Sequence, residues 1–343
     1  MSETALAERV RRAWERGERL VAPLVGFPGV DLVGTNIKLA QQNIGVHYRT
    51  VKRLYESYGQ DIVFPLMDLS VEANALGRYT LFPQDESATI PKAHFSAEDL
   101  EEMRSVDILL DTRAIGYCET VKHMNLGLPA HVIRGAYVTG PFSVAGLIMG
   151  TDEAAMATVT DTGVLRALLE LVTDKITAYA HALIAAGAQL VCVLEPSAVM
   201  LGPEAFRAFS AAFVRQIIQT YRFREVATVY HVCGNCMHLI EPMMDAGVDG
   251  LSLDAQETGV DMVEVARRVE RGTLLMGNLS PTGTLLHGRP SGVREEVRAM
   301  MRAMATYPAY VVSTGCDLPQ NTPPENLAAF VQAAREYRVV SAA

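Results

Sequence analysis

From about residue 60 onward, short apolar or β-branched runs ending in Gly, Pro, Asp or Ser alternate with longer stretches whose apolar positions recur every three to four residues. The first pattern predicts buried strands and the second amphipathic helices. Eight runs read as strands: DIVFPLMD from Asp61, RYTLF from Arg78, VIRGAYVTGPF from Val132, LVCVLEPS from Leu190, VATVYHVCG from Val226, VDGLSLDA from Val248, TLLMGNLS from Thr273 and AYVVSTGCD from Ala309. Helical segments such as EAFRAFSAAFVRQIIQTYRF, DMVEVARRVERG and VREEVRAMMRAM lie between them. This alternation predicts an α/β fold, a (β/α)8 TIM barrel. Such barrels use about 250 residues, so a chain of 343 leaves the first 60 or so for extra helices. With no Pro/Gly/Ser linker, the expectation is one domain, 1–343, of which about 1–60 is an N-terminal helical extension on the barrel mouth. The stretch from Gly77 to Leu110 has poor periodicity and reads equally as a long excursion.

Apolar residues make up 49 % and charged ones 20 %, which excludes a disordered or low-complexity chain. The net charge is −9 and no basic run stands out, so nucleic acid is not an expected partner. The most apolar stretch, Ala182 to Leu194, is broken by Gly187 and Gln189 and is shorter than the roughly 20 residues that cross a bilayer. The first 20 residues mix acids and bases at helical spacing, unlike a signal peptide. Together these predict no membrane association and a cytoplasmic location. Five unevenly spread cysteines do not form a disulfide framework and are expected to be free thiols or metal ligands.

In a barrel of this kind the strand ends carry the chemistry. Here they present Asp68, Glu195, the run His231 to Cys236, Ser252 with Asp254, Asn278 with Ser280, and Cys316 with Asp317. His231 and Cys233 are two apart and share one face of a strand. Cys316 and Glu195 end other strands and could face the same opening. One imidazole, two thiolates and a carboxylate suit zinc, with a displaceable Glu195 as the fourth ligand.

Structural readings stand beside these. A lone cysteine is usually a small buried hydrophobe, the reading taken for Cys118 and Cys192. Cys233-Gly-Asn-Cys236 has CxxC spacing, but no second pair accompanies it, so Cys236 is not expected to be a ligand. His231 with Cys233 alone reads as metal site or core equally well, and a register error of one residue would turn either away. Asp254 and Ser252 could orient His231 or merely hold their loop. Asp68 could meet substrate or cap the following helix. The other seven histidines are read as surface or satisfied core residues.

The run HVCGNCMHLIEPMMDAGVDGLSLDAQ, then LLMGNLSPTGTLLHG and VVSTGCDLPQNTPPENLAAFVQAAREY, with YVTGPFSVAGLIMG before them, resembles the uroporphyrinogen decarboxylase superfamily over residues 30 to 338. That superfamily holds two chemistries: metal-free decarboxylation of a porphyrinogen, and zinc-dependent methyl transfer from a methylated corrinoid protein to a thiol such as coenzyme M. The decarboxylase's Arg-Gln-Ala-Gly-Arg segment has no match between Gly26 and Tyr58, and its Gly-His-Gly corresponds here to Gly315-Cys316-Asp317. The methyltransferase branch has His-x-Cys and a later Cys as zinc ligands, and His231, Cys233 and Cys316 fall on those positions, with Glu195 similar to its strand-end acid. Cobalamin-independent methionine synthase is similar in its His, two Cys and Glu set, so homocysteine stays open as acceptor, as does a folate.

Strand-end position makes Glu195, Asp254 and Asp68 the candidate catalytic residues and Tyr137, Ser143 and Asn278 the candidate contacts to the corrinoid, although a buried barrel layer explains the GPFSVAGLIMG composition as well. The chain has no Asp-x-His-x-x-Gly cobalamin segment, so the methylcorrinoid donor is expected on a separate corrinoid protein, with a small-molecule thiol as the other partner. Alternatives carried forward are a decarboxylase and a non-catalytic metal or corrinoid carrier.

Overall fold

The computed structural model describes residues 4–338. Seven parallel strands lie in chain order in one curled sheet: β1 Ile62–Val63, β2 Ile133–Thr139, β3 Leu190–Leu194, β4 Ala227–Val232, β5 Gly250–Leu253, β6 Leu274–Leu279 and β7 Tyr310–Thr314. Every one of their residues except Arg134 and a few strand-end polar groups is apolar or small, and all are buried, as expected for parallel strands covered on both faces.

The run from Arg78 does not become a strand of this sheet. Its Leu81 makes only an isolated antiparallel bridge to Thr89, inside the irregular stretch that follows β1. Tyr79 and Leu81 are exposed while the polar Arg78 and Thr80 are buried, so the run has no apolar face to lay on the core. The gap between β7 and β1 is instead spanned by residues 20–22. Ala22 N donates to Val312 O at 2.8 Å, Val312 N to Leu20 O at 2.9 Å, and Asp61 N to Val21 O at 2.8 Å. The N-terminal region is therefore not wholly helical: this extended segment lies between α1 (Ala5–Glu15) and α2 (Pro28–Leu32).

Further helices follow: α3 (Ile37–Gln42), α4 (Ile44–Tyr58), α5 (Val71–Ala75) after β1, α6 (Ala97–Ser105), α7 (Thr112–Gly127), and α8 (Pro141–Met149) after β2. Asn36 caps α3, Asn43 caps α4 and Asp111 caps α7 through side-chain oxygens that accept otherwise orphaned backbone N–H groups. No described helix is long and apolar enough to cross a membrane.

Candidate metal centre

His231 and Cys233 leave β4 on the same face. Cys316, just past β7, reaches them from across the sheet. His231 Nε2 lies 3.1 Å from Cys233 Sγ and 3.9 Å from Cys316 Sγ, and the two sulfurs are 3.5 Å apart. With zinc bond lengths of about 2.3 Å to sulfur and 2.0–2.1 Å to nitrogen, a tetrahedral site has edges of about 3.8 Å between sulfurs and about 3.6 Å from nitrogen to sulfur. The triangle is already close to that size, so these donors fit the ion in number, softness and spacing. They are the one group of three or more such side chains found converging among the described residues.

The local electrostatics follow from crowding two thiols. Cys233 donates to Cys316, which raises the Cys233 thiol, while that bond together with His231 lowers Cys316 well below the ordinary thiol range. His231 Nδ1 sits 3.0 Å from Ser252 Oγ on β5, its register partner.

Glu195 lies outside this group. Leu194 is paired in register with His231, so the pleat carries the next residue to the opposite face. The Glu195 carboxylate turns to the start of α8, where Ser143 N donates to it. Gly140 makes room: a Cβ there would fall 1.9 Å from Glu195 Oε2. Full burial pushes Glu195 up to about 8.

Asp254 does not reach His231. Its two oxygens accept from Gly234 N and Ala255 N, each at 2.7 Å, and hold the loops after β4 and β5. Asp68 has no free oxygen to offer a substrate. Gln41 Nε2, Ser70 N, Ser70 Oγ, Tyr117 OH and the Arg113 guanidinium all donate to it. Nor does it cap α5, whose N-cap position is Ser70.

Tyr137 stacks on Phe64 and stands within electrostatic reach of Cys192, Cys316 and Asp317, on the same side as the sulfurs. Ser143 is buried, its hydroxyl accepting from Ser197 N at 3.1 Å. Asn278 spends its amide N–H groups on the carbonyls of Asp254 and Val260 and borders a 540 Å³ cavity between helices 262–268 and 290–303, which the three donors do not line. Cys236 and Cys192 are buried thiols raised by desolvation, Cys236 to about 12. His47 is a buried acceptor for Leu66 N, held down near 3.

One group escapes sequence reasoning: Glu72 on α5. Its Oε1 accepts from Thr139 N at 2.8 Å, Oε2 is buried without a partner, and burial pushes it up to about 7. The available signal was an acid flanked by Val71 and Ala73 on a short apolar helix directly after a strand.

These donors and the parallel sheet define a class, and comparison with known proteins fixes it. The family model described as uroporphyrinogen decarboxylase (URO-D) matches residues 47–337, and the chain belongs to this family. Among curated relatives, the methylcobamide:CoM methyltransferase MtbA of Methanosarcina mazei is 29 % identical over 244 residues, 70 % of this chain and 69 % of that protein. A uroporphyrinogen decarboxylase of Idiomarina loihiensis is 28 % identical over 214 residues, 61 % of this chain and 55 % of that protein. A solved structure of a methyltransferase from Methanosarcina mazei superposes with a TM-score of 0.85 at 23 % identity, covering 98 % of this chain and 99 % of that one, which shows the shared fold. Identity alone barely separates the two chemistries. The site residues must.

Proposed function

We propose that this chain moves a methyl group from a methylated corrinoid, carried by a separate protein, to the sulfur of a small thiol, with zinc held by His231, Cys233 and Cys316. The carrying observation is the convergence of one imidazole and two thiols within 4.8 Å at the carboxyl end of the sheet. A metal-free decarboxylation has no use for such a set. The likeness to the methylcobamide:CoM methyltransferase supports the donor and the acceptor type. We read residues 20–22 as the element that closes the sheet into a barrel, which leaves the three donors at its mouth.

Zinc bound there would supply a positive centre that stabilises the acceptor sulfur as thiolate, the form that attacks carbon. The chain's part is charge, orientation and access. Two anionic sulfurs and a neutral imidazole balance a divalent ion, so an acceptor thiolate keeps its negative charge and its nucleophilicity. A hydrogen bond from Nδ1–H to Ser252 Oγ fixes the ring with Nε2 toward the sulfurs. In-line displacement needs approach geometry more than acid or base help, consistent with carboxyls at Asp68 and Asp254 whose oxygens are taken up by donors of the scaffold.

The test combines metal analysis with methylcobalamin and a thiol panel, following loss of the methyl–cobalt absorbance with and without a chelator. The wild-type protein is expected to hold about one zinc per chain, and Cys316→Ser to lose zinc and thiol methylation together. Full zinc retention with unchanged demethylation in that variant refutes the ligand set.

A further inference from the structure

The cavity of 540 Å³ between helices 262–268 and 290–303 plays no part in the reading above, and its size is typical of small-molecule sites. Helix 262–268 has only seven residues against fourteen in its neighbour, and Ala299 and Ala303, one turn apart on that neighbour, offer nothing larger than a methyl group to fill the space between. The apolar wall is Val260, Met262, Leu279, Met300 and Met304, of which all but the half-buried Met300 are buried. Thioether side chains are unbranched and polarizable, so such a wall moulds itself to varied apolar bodies.

The charge in this cavity has one sign. Glu257, Asp261 and Glu296 line it, and among the described residues no lysine, arginine or histidine does. Asp261 caps its helix through Val263 N and Glu264 N, and Glu296 accepts from Thr284 Oγ1, bonds that bring no positive charge. Ser280, 6 % exposed, also lines the cavity, and its Oγ is buried without a hydrogen-bond partner. Such an atom calls for one. It stands beside Glu257: a Cβ on Gly283 would fall 2.9 Å from Ser280 Oγ and 3.1 Å from Glu257 Oε1. The glycine keeps that corner open, and a hydroxyl and a carboxylate meet there. Acids gathered around an apolar wall concentrate negative potential in a cleft.

The geometry points to a second binding site, for a small organic cation: an aryl or alkyl body laid on the methionines, with a protonated amine donating to Glu257 and to Ser280 Oγ. The body gains by leaving water. The ammonium, with three donors and no acceptor, supplies what that corner lacks. An anion with the same body would instead meet three carboxyl groups. None of the three soft donors lines this cavity, so its occupant takes no part in methyl transfer.

Three probes with one body isolate the charge: 4-phenylbutylamine, 4-phenylbutanol and 4-phenylbutyrate. In calorimetric titrations of the full chain at neutral pH and low salt, the amine is expected to bind roughly tenfold or more tighter than the butyrate, with the alcohol between them. Glu257→Gln, at an exposed position, lowers the amine's affinity roughly threefold to tenfold and leaves the alcohol's within about twofold. Ala299→Phe and Ala303→Phe, also at exposed positions, fill the cavity and weaken all three probes by more than about tenfold. Melting curves identify the folded variants, and either phenylalanine variant suffices. The inference is overturned by an amine that shows no binding at about 1 mM, by equal affinities for the three probes, or by amine binding that survives both phenylalanine variants. Because the readout is binding and not methyl transfer, failure of the zinc reading leaves this result standing, and the converse holds too.

Discussion

Two polar clusters stand at the same end of the sheet, and they were built to opposite rules. Around Asp68, below β1, five donors converge on one carboxylate, and its ion pair with Arg113 is almost wholly buried. Around Cys316, beyond β7, soft atoms face one another and a neighbouring carboxyl oxygen has no partner. Both clusters contain strand-end residues that sequence reasoning marked as candidates. What stands at the centre tells them apart: both oxygens of Asp68 are satisfied by donors of the protein, which holds structure even with Gln41 Oε1 and Arg113 Nε beside it unpartnered, whereas three soft atoms facing one another suit an ion.

The sharpest break between the two is a pair of substitutions. Arg113→Ala leaves Asp68 as a buried charge without its counter-ion, a loss of about 3–5 kcal/mol in unfolding free energy, with metal content per folded chain unchanged. Cys316→Ser is expected to do the reverse, abolishing zinc binding while moving the unfolding free energy of the metal-free protein by less than about 1 kcal/mol. Urea titration and metal analysis of both variants measure this. If Arg113→Ala loses metal as completely as Cys316→Ser, the two clusters are one functional unit and the distinction is void.

Much of this contrast was legible in the chain. Seven strands announced themselves as continuous apolar runs, since a parallel strand buried on both faces has no polar alternation to hide it. His231 and Cys233 were readable because spacing by two survives any error in where a strand starts. Glu195 was not, because its face depends on the pleat to a single residue, and it follows a residue already paired with His231. Residues 20–22, the link between β7 and β1, are only three buried residues between a charged helix and a proline, too short to register as a strand. The five-donor shell of Asp68 draws on α3, α7 and the turn before α5, contacts that no local pattern announces.

Glu72 lies between the two clusters in character, since one oxygen is satisfied and the other is not. Burial raises its carboxyl from 4.5 to about 7, so the folded state keeps a proton that the unfolded chain gives up across that interval. Its protonated form therefore contributes stability fully below about pH 4.5, and this is lost as pH rises through 7. Glu72→Gln mimics the protonated carboxyl. At pH 8 it should be more stable than wild type by about 3 kcal/mol, and at pH 4.5 indistinguishable within about 0.5 kcal/mol. Urea midpoints at the two pH values give the answer, and an equal difference at both would mean that Glu72 does not titrate in this range.

The smallest effect concerns Ser252, whose hydroxyl ties the imidazole of the soft cluster back to the scaffold. Its hydroxyl lies 3.0 Å from His231 Nδ1 and fixes which nitrogen faces the sulfurs. Partners of this kind typically change metal affinity 10–100-fold, and a neutral hydroxyl belongs at the weak end of that range because it adds orientation without charge. Ser252→Ala should therefore weaken zinc binding about tenfold, or about 1.4 kcal/mol, as measured by competition with a chromophoric chelator. Ser252→Thr, which keeps the hydroxyl, should restore most of it. Because Ser252 is fully buried on β5, both variants are compared in metal-free stability as well: a loss of affinity that tracks a loss of stability, with no rescue by threonine, would make this hydroxyl part of the packing and leave the imidazole oriented by the strand alone.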